Sequence, residues 1–293
     1  MKIINFLGMT LLLFLLLIPT RGVAQERLLI IAPDDFIDEL QPLKKLKDVT
    51  GRPTLLLSLT EIYNNANCNG ADTAEEVKKC IAYFEEHENV RYVILAGDVD
   101  KFPARWTWWG LPGQENWAVS DLYFADLYEN GTRTFDDWDA NNNGLYGEIE
   151  FAVDRTINND QIDFIPDVAV GRIPASSEAE ITAYVNKVIA YEIVTNPSDA
   201  WFRTAALYTG CSDGWDNFNK DEVGKSLTNS GFTVLPTSAD DRIRYGHWLS
   251  PCPPEPAPCC EAALDMPDTV VNDLNNGVGF ANYIGHGNIW GWA

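Results

Sequence analysis

His286 stands between two glycines at the end of an apolar run, Gly277-Val278-Gly279-Phe280-Ala281-Asn282-Tyr283-Ile284-Gly285-His286-Gly287. Imidazole is the side chain whose ordinary pKa suits proton transfer near neutral pH. Gly285 and Gly287 remove the Cβ atoms that would crowd the ring, and they let the backbone approach a ligand closely. The chemistry on offer is general acid and base work. The competing reading is a histidine that only caps a strand in a tight turn. To do chemistry, the ring must be carried to the exit of a strand, where open α/β sheets present their ligands. Val278, Phe280 and Ile284 have the β-branched and aromatic character of that strand, and Gly277 closes the helical segment before it.

A second stretch has the residue types for a hard cation. Asp139-Ala140-Asn141-Asn142-Asn143-Gly144 spaces its oxygens as a calcium loop does, and Glu150 falls at the twelfth position counted from Asp139. Asp139, Asn141, Asn143 and Glu150 are the expected ligands, with Glu148 as an alternative last one. Gly144 allows the sharp bend. A solvated acidic loop without metal is the bland alternative. Calcium is preferred because nothing apolar would otherwise order so long a segment.

Placing these groups requires a sheet. Leu28 to Ala32 is a continuous apolar run, expected of a strand buried on both faces. Leu40, Leu43 and Leu46 repeat at helical spacing before Gly51, and Pro53 to Leu59 reads as a strand. Thr73-Ala74-Glu75-Glu76 reads as a capping box for a helix reaching about His87, which sits on a solvated end. Tyr92 to Ala96 and Asp167 to Ile173 are further strands. A helix from Ser177 to about Ile193 leads to the strand Thr204 to Thr209, whose exit is Gly210-Cys211-Ser212-Asp213-Gly214. A helix from about Asn219, the strand Thr233 to Leu235 and a helix from Pro267 complete the order. Strands alternating with helices predict an α/β fold with a largely parallel sheet covered on both faces. Trp106, Trp108 and Trp109 are read as core or loop anchors rather than a sugar-stacking platform. Arg172 is either a carboxylate binder at the sheet edge or a structural ion pair.

The 293 residues suffice for one large or two modest domains. Residues 1–24 read as a leader: Lys2 at the start, Leu11 to Ile18 as the apolar centre, and Gly22-Val23-Ala24 as the cleavage site. That run is too short to span a bilayer, and no later stretch does so. The chain is therefore expected to be secreted or held in the cell envelope. Losing the leader moves the formal charge from −22 to −24. Such a balance argues against nucleic acid and anionic membranes as partners, and suits divalent cations.

Six cysteines remain, an even count that in an oxidising compartment points to disulfides. Cys68 and Cys80, flanking a short loop and a helix start, are the preferred pair. Cys252, Cys259 and Cys260 lie in a proline-rich segment read as a surface insertion. No thiolate pairs have zinc spacing.

Five stretches in this order resemble the gingipain-type cysteine peptidases of the caspase-like clan. They are Val93 to Asp98 with Phe102-Pro103-Ala104, Ser120 to Phe124, Val170 to Pro174, Gly231-Phe232-Thr233, and Asn282 to Gly287. The resemblance covers nearly everything after the leader. It implies a caspase-like fold in two α/β subdomains, residues 25–178 with the acidic loop and residues 179–293 with the catalytic edge. It implies protein or peptide substrates and a cysteine–histidine dyad. His286 matches the family's acid and base, the Gly287 N–H would help to hold the oxyanion, and Asp213 matches an acid that orients the histidine. Asp216 lies near where members selective for basic side chains place a pocket carboxylate. One departure stands out. The family's nucleophile follows the histidine after another strand, whereas every cysteine here precedes His286, and Cys211 is out of order. The nucleophile is therefore expected beyond Ala293, and residues 1–293 alone are expected to be inactive. The reading from a different class is a calcium-dependent envelope or adhesion protein that keeps the scaffold without the chemistry. A glycosidase using paired carboxylates is weaker, because so acidic a chain makes some pair inevitable. The natural substrate, its preferred side chain and the oligomeric state are not legible.

Overall fold

Strand β1 (Arg27–Ala32) is Arg-Leu-Leu-Ile-Ile-Ala, and everything after its arginine is buried. The structure, a computed structural model, describes residues 25–111, 114–151, 156–194, 196–210, 214–235, 244–245, 266–284, 287–288 and 291–292. The leader and the proline-rich segment lie outside the described residues. The chain divides into two compact units, Met1–Glu192 and Ile193–Ala293.

In the first unit β1 is flanked by β2 (Thr54–Ser58) and β3 (Val90–Ala96), and β8 (Ala169–Ile173) pairs with β3; all the pairings are parallel. The two-residue period of β1 divides it between two cores. Leu29 and Ile31 join Val93, Leu95 and the apolar side of α3 (Thr73–Glu88). Leu28, Ile30 and Ala32 join Leu40 and Leu43 of α1 (Ile37–Val49) and Ile181 and Val185 of α5 (Glu178–Val194). The continuous apolar run is thus the signature of a strand with helices on both faces. Each fully buried Leu or Ile contributes about 1.5–3 kcal/mol, which makes this strand the anchor of the unit.

Helix α3 begins one residue earlier than its capping box implies. Asp72 is the cap, accepting the Glu75 N–H at 2.9 Å, and Thr73 is already helical. The same carboxylate takes two bonds from Arg105, at 2.8 and 2.9 Å, a partner far away in sequence. Cys68 and Cys80 form a disulfide that ties the preceding turn to the helix. The exposed His87 ring stacks on Tyr83 at 4.3 Å, ordinary surface as expected.

The tryptophans are not core. Trp106, Trp108 and Trp109 lie on β4 (Trp106–Leu111), which pairs antiparallel with β5 (Gln114–Val119) and parallel with β6 (Ile149–Phe151). Strand β7 (Thr156–Asn158) closes that sheet. Trp106 is 54% exposed, and the buried anchor of the region is Trp138, at 2%. The Trp138 indole N–H donates to Asp126 at 3.1 Å. Beside it, fully buried Lys78 places its ammonium 4.3 Å from the Tyr123 ring centroid and 5.5 Å from that of Trp138. Burial pushes the Lys78 pKa down to about 8, against the pull of Asp136, Asp126 and Asp137.

The second unit is built on β9 (Thr204–Gly210). Strands β10 (Thr233–Val234), β11 (Arg244–Tyr245) and β12 (Phe280–Ile284) all pair with it in parallel. Ala206 and Tyr208 face Val270 of the helix Met266–Asn276, and Leu207, on the opposite face, reaches Gly224 of α6 (Gly214–Asn229). We number the helix Met266–Asn276 α7. The two helices therefore cover opposite faces of the sheet. Among the described residues no helix is long and apolar enough to cross a membrane.

Asp126 has no solvent exposure, and burial pushes its carboxyl up to about 6, although Lys78 draws it down. Between about pH 4 and pH 6 the folded chain holds a proton that the unfolded chain has released. The stability this contributes is full below about pH 4 and lost as pH rises through 6, on the order of 2 kcal/mol. Melting temperature followed from pH 4 to 7 should fall less steeply in Asp126→Asn than in the parent. Parallel curves would show that Asp126 is not the group involved.

Candidate active site

The sheet of the second unit brings two sequence motifs to one edge. Strands β9 and β12 are parallel neighbours, with Tyr283 opposite Tyr208 and Ile284 opposite Thr209. They therefore end side by side, about 5 Å apart as adjacent strands are. In sequence, Asp213 follows the last residue of β9 by three positions and His286 follows Ile284 by two. Strands β9 and β12 thus end at the same edge of one sheet, each a few residues before one of the two expected catalytic residues in the sequence. His286, Cys211 and Asp213 themselves lie outside the described residues.

Gly287 is described through its backbone. It begins β13 (Gly287–Asn288), which pairs antiparallel with β14 (Gly291–Trp292), Gly287 opposite Trp292. The short strand after the histidine motif is therefore paired at both of its described residues. Asp216 is the third residue of α6, in the first turn of the helix that follows the β9 exit.

Two features hold β12 in register. Gly277, at φ +92°, follows α7, and its N–H donates to the Leu274 carbonyl at 3.2 Å. That is how a glycine ends a helix. Two residues on, the Gly279 N–H donates to the Thr204 carbonyl at 2.9 Å. A Cβ on Gly279 would lie 2.1 Å from the Phe202 carbonyl oxygen, so only glycine fits. From inside the sheet, the Tyr208 hydroxyl donates to Asp273 at 3.1 Å and ties β9 to α7. Burial, with the Asp273 charge beside it, pushes that hydroxyl well above its ordinary pKa. The tyrosine's alternating position was visible in the sequence, but its partner, so distant along the chain, was not.

The corresponding edge of the first unit is built differently. Arg172, on β8, donates to Asp121 through Nε at 2.8 Å and Nη2 at 2.7 Å. Its Nη1 donates to the Gly97 carbonyl at 2.7 Å, and Nη2 also to Pro103 at 3.2 Å. Of the two readings of Arg172, the structural ion pair is the one observed. In the acidic loop, Asp139, Asn141, Asn143 and Glu148 are joined by hydrogen bonds, whereas Glu150 lies on β6 opposite Ile157. Asp160, not selected from the sequence, accepts the Glu148 N–H at 2.7 Å. Only the strand register reveals it.

Residues 23–293 match the model of peptidase family C25. The chain is 21% identical to gingipain R2 of Porphyromonas gingivalis over 282 residues, 94% of this chain and 29% of that protein. It is 27% identical to Lys-gingipain W83 of the same organism over 131 residues, 45% of this chain and 6% of that protein. The crystal structure of the Arg-specific cysteine proteinase gingipain R (RgpB) is similar with a TM-score of 0.58 at 18% identity, covering 92% of this chain and 49% of that one. The complex of the RgpB pro- and mature domains gives 0.56 at 19%, covering 89% and 48%. The chain thus spans under a third of these curated relatives and about half of the solved chains. The structural likeness shows the fold, a caspase-like α/β arrangement of mainly parallel sheets flanked by helices.

Gly279→Ala should destabilise the second unit by about 1–3 kcal/mol, because the added methyl meets a backbone carbonyl that must move. Denaturant unfolding of the variant checks this. An unchanged midpoint would show that the approach of β12 to Phe202 is not constrained as described.

Proposed function

This chain belongs to peptidase family C25, and from that premise we propose that it carries the histidine of a cysteine–histidine dyad in a secreted cysteine endopeptidase. The observation that supports the reading is the register of β9 with β12, parallel neighbours that end side by side a few residues before Asp213 and His286 in the sequence. In this proposal His286 takes the proton of a thiol, because the thiol itself attacks weakly at neutral pH. The thiolate adds to the scissile carbonyl, and the Gly287 N–H helps to hold the oxyanion that forms. His286 then gives its proton to the leaving amine, and water releases the acyl group from sulfur. Asp213 keeps the imidazole oriented. Asp216 lines the pocket for the side chain before the scissile bond and selects Arg or Lys through a charge-assisted hydrogen bond. The leader at residues 1–24 supports export to the envelope or beyond.

The thiol belongs to a cysteine following His286, at the exit of the next parallel strand. One crossover unit places it roughly 25 to 40 residues on. A protein extended through that region should hydrolyse peptides, and His286→Ala should lower kcat/KM by about 10³-fold with its circular dichroism unchanged. Extension without a cysteine in that interval would turn the reading to the non-catalytic envelope protein, and full activity in His286→Ala would overturn the dyad assignment. A peptide library tests the pocket separately. Preference for Arg or Lys that is lost in Asp216→Ala supports it, and equal cleavage after apolar residues removes Asp216 from that role.

A further inference from the structure

The four-stranded sheet β5-β4-β6-β7 leaves an aromatic face to solvent. Alternation along β4 puts Trp106 and Trp108 on one side, and the pairing with β5 sets Val119 opposite Trp106 and Trp117 opposite Trp108. Trp117 is 48% and Val119 47% exposed, beside Trp106 at 54%. Trp109 points to the other side, where it meets Phe151 with ring centroids 6.3 Å apart. Large apolar side chains gathered on one exposed face mark interaction sites, whereas single ones are ordinary surface.

Gly110 and Glu150 complete the face. A Cβ on Gly110 would lie 2.3 Å from Cη2 of Trp108, so the six-membered ring of that indole takes the space a side chain would fill. Gly110 pairs in parallel with Glu150 of β6, which sets the glutamate on the tryptophan side, one strand away. The four strands contain no lysine or arginine, and among the described residues no ion pair includes Glu150. Elsewhere the fold seats its own guanidinium groups on rings, Arg52 over Tyr92 at 4.2 Å, Arg105 over Tyr146 at 3.7 Å and Arg133 over Tyr128 at 4.0 Å. Indole attracts cations more strongly than phenol does. Yet among the described residues no cation lies over Trp106, Trp108 or Trp117.

We propose that this face docks an extended basic segment of another protein, with arginine or lysine at alternate positions. Charge complementarity sets the chemistry: indole faces and an unpaired carboxylate, on a chain of net charge −22, attract cations and repel anions. Spacing sets the shape. Trp106 and Trp108 stand two residues apart on a strand, about 7 Å, which is also the repeat of side chains along one side of an extended peptide. A carbohydrate fits worse. Its hydroxyls need many donors and acceptors, and the described side chains of this face offer only indole N–H groups and Glu150. None of these residues belongs to the proposed dyad or its pocket, so the face stands whether or not the peptidase reading does.

Calorimetric titration of the chain with the acetylated, amidated peptide Arg-Ser-Arg-Ser-Arg tests it, beside the same peptide with glutamine for each arginine. Saturable heat with the arginine peptide, none with the glutamine one, and weaker binding at high salt are the expected results. Trp106→Ala and Trp117→Ala should each weaken binding about tenfold, and Glu150→Gln about threefold. If the tryptophan variants fail to fold, Val119→Lys, which sets a positive charge opposite Trp106, should show the same loss. Binding should persist in Asp216→Ala, which separates this face from the pocket proposed for substrates. Absence of saturable heat would overturn the proposal. So would binding that Asp216→Ala abolishes, or binding undiminished in both tryptophan variants, or in Val119→Lys where only that variant folds. Equal, Trp106-dependent binding of the glutamine peptide or of a neutral oligosaccharide would overturn it too, because the indoles would then not be selecting charge.

Discussion

The close approach of Gly279 to the Phe202 carbonyl sets the position of everything that follows it. Strand β12 enters the sheet directly after that contact, and its first residue, Phe280, is already paired with Ala205 of β9. Because a parallel ladder advances residue for residue, fixing its start also fixes its exit at Ile284. A slip of one position would exchange the two faces of the strand and move its exit by more than 3 Å. Register is therefore more than packing here. It decides where β12 ends against β9. Gly277 contributes by ending α7 in a conformation that residues with a Cβ rarely adopt.

The two sheet edges use similar material for opposite ends. In the first unit, β3 ends in Gly97-Asp98, and the turn after it is filled by protein. Phe102 and Lys101 donate to the Asp98 carbonyl, and Arg172 binds Asp121 and the carbonyls of Gly97 and Pro103. A guanidinium with its donors spent on protein acceptors cannot recognise a substrate carboxylate without breaking the structure that holds it. In the second unit, the exits of β9 and β12 lead into glycine-flanked segments instead, Gly210 to Gly214 and Gly285 to Gly287. The first edge is closed by an ion pair, and the second carries the residue types that do chemistry.

What could be read from the sequence follows from how local each cause is. Strand β1 was legible because burial on both faces leaves no polar position to confuse the pattern. Helix α1 was legible because Leu40, Leu43 and Leu46 repeat on one side, and α5 because Ser177 stands at its start as a capping residue. The Cys68–Cys80 bridge was legible because it closes a short loop. The tryptophan strands β4 and β5 were not, because Trp106 and Trp117 stay exposed and no buried face imposes alternation. Strands β6 and β7 are three residues each, too short for any period to appear. Lys78 reads as surface within Glu-Val-Lys-Lys-Cys, and only the tertiary cage of Tyr123, Phe135 and Trp138 shows that it is buried. The histidine motif is a run of adjacent residues, so its chemistry can be proposed from the sequence alone. Asp160 was invisible because its meaning depends on which strand lies beside it.

The charge balance connects these observations. A chain with 43 acids and 21 basic residues cannot pair every carboxylate with a protein cation. On the surface this costs little, since water and salt screen the excess. In the interior it must be settled group by group, and the first unit does so with a few committed cations. Arg105 serves Asp72 and the Tyr123 and Tyr146 rings, Arg172 serves Asp121, and Lys78 serves the acids around Trp138. Glu85, nearly buried at the end of α3, takes both Arg91 and Arg133. Each of these cations also lies over an aromatic face or inside a hydrogen-bond fork, which lowers the cost of removing it from water. Arg91 is the exception, and both it and Arg133 keep part of their surface in water. Once these assignments are made, none of the paired cations remains for the trio Asp139, Glu148 and Asp160. An acidic protein can leave such a trio protonated, open it to water, or give it an ion from solution. The trio's packing disfavours the second course, because Glu148 and Asp160 are both buried. Inside the protein the amides of Asn141 and Asn143 serve Glu148, and burial, with the charges of Asp139 and Glu148 beside it, pushes the Asp160 carboxyl up to about 6.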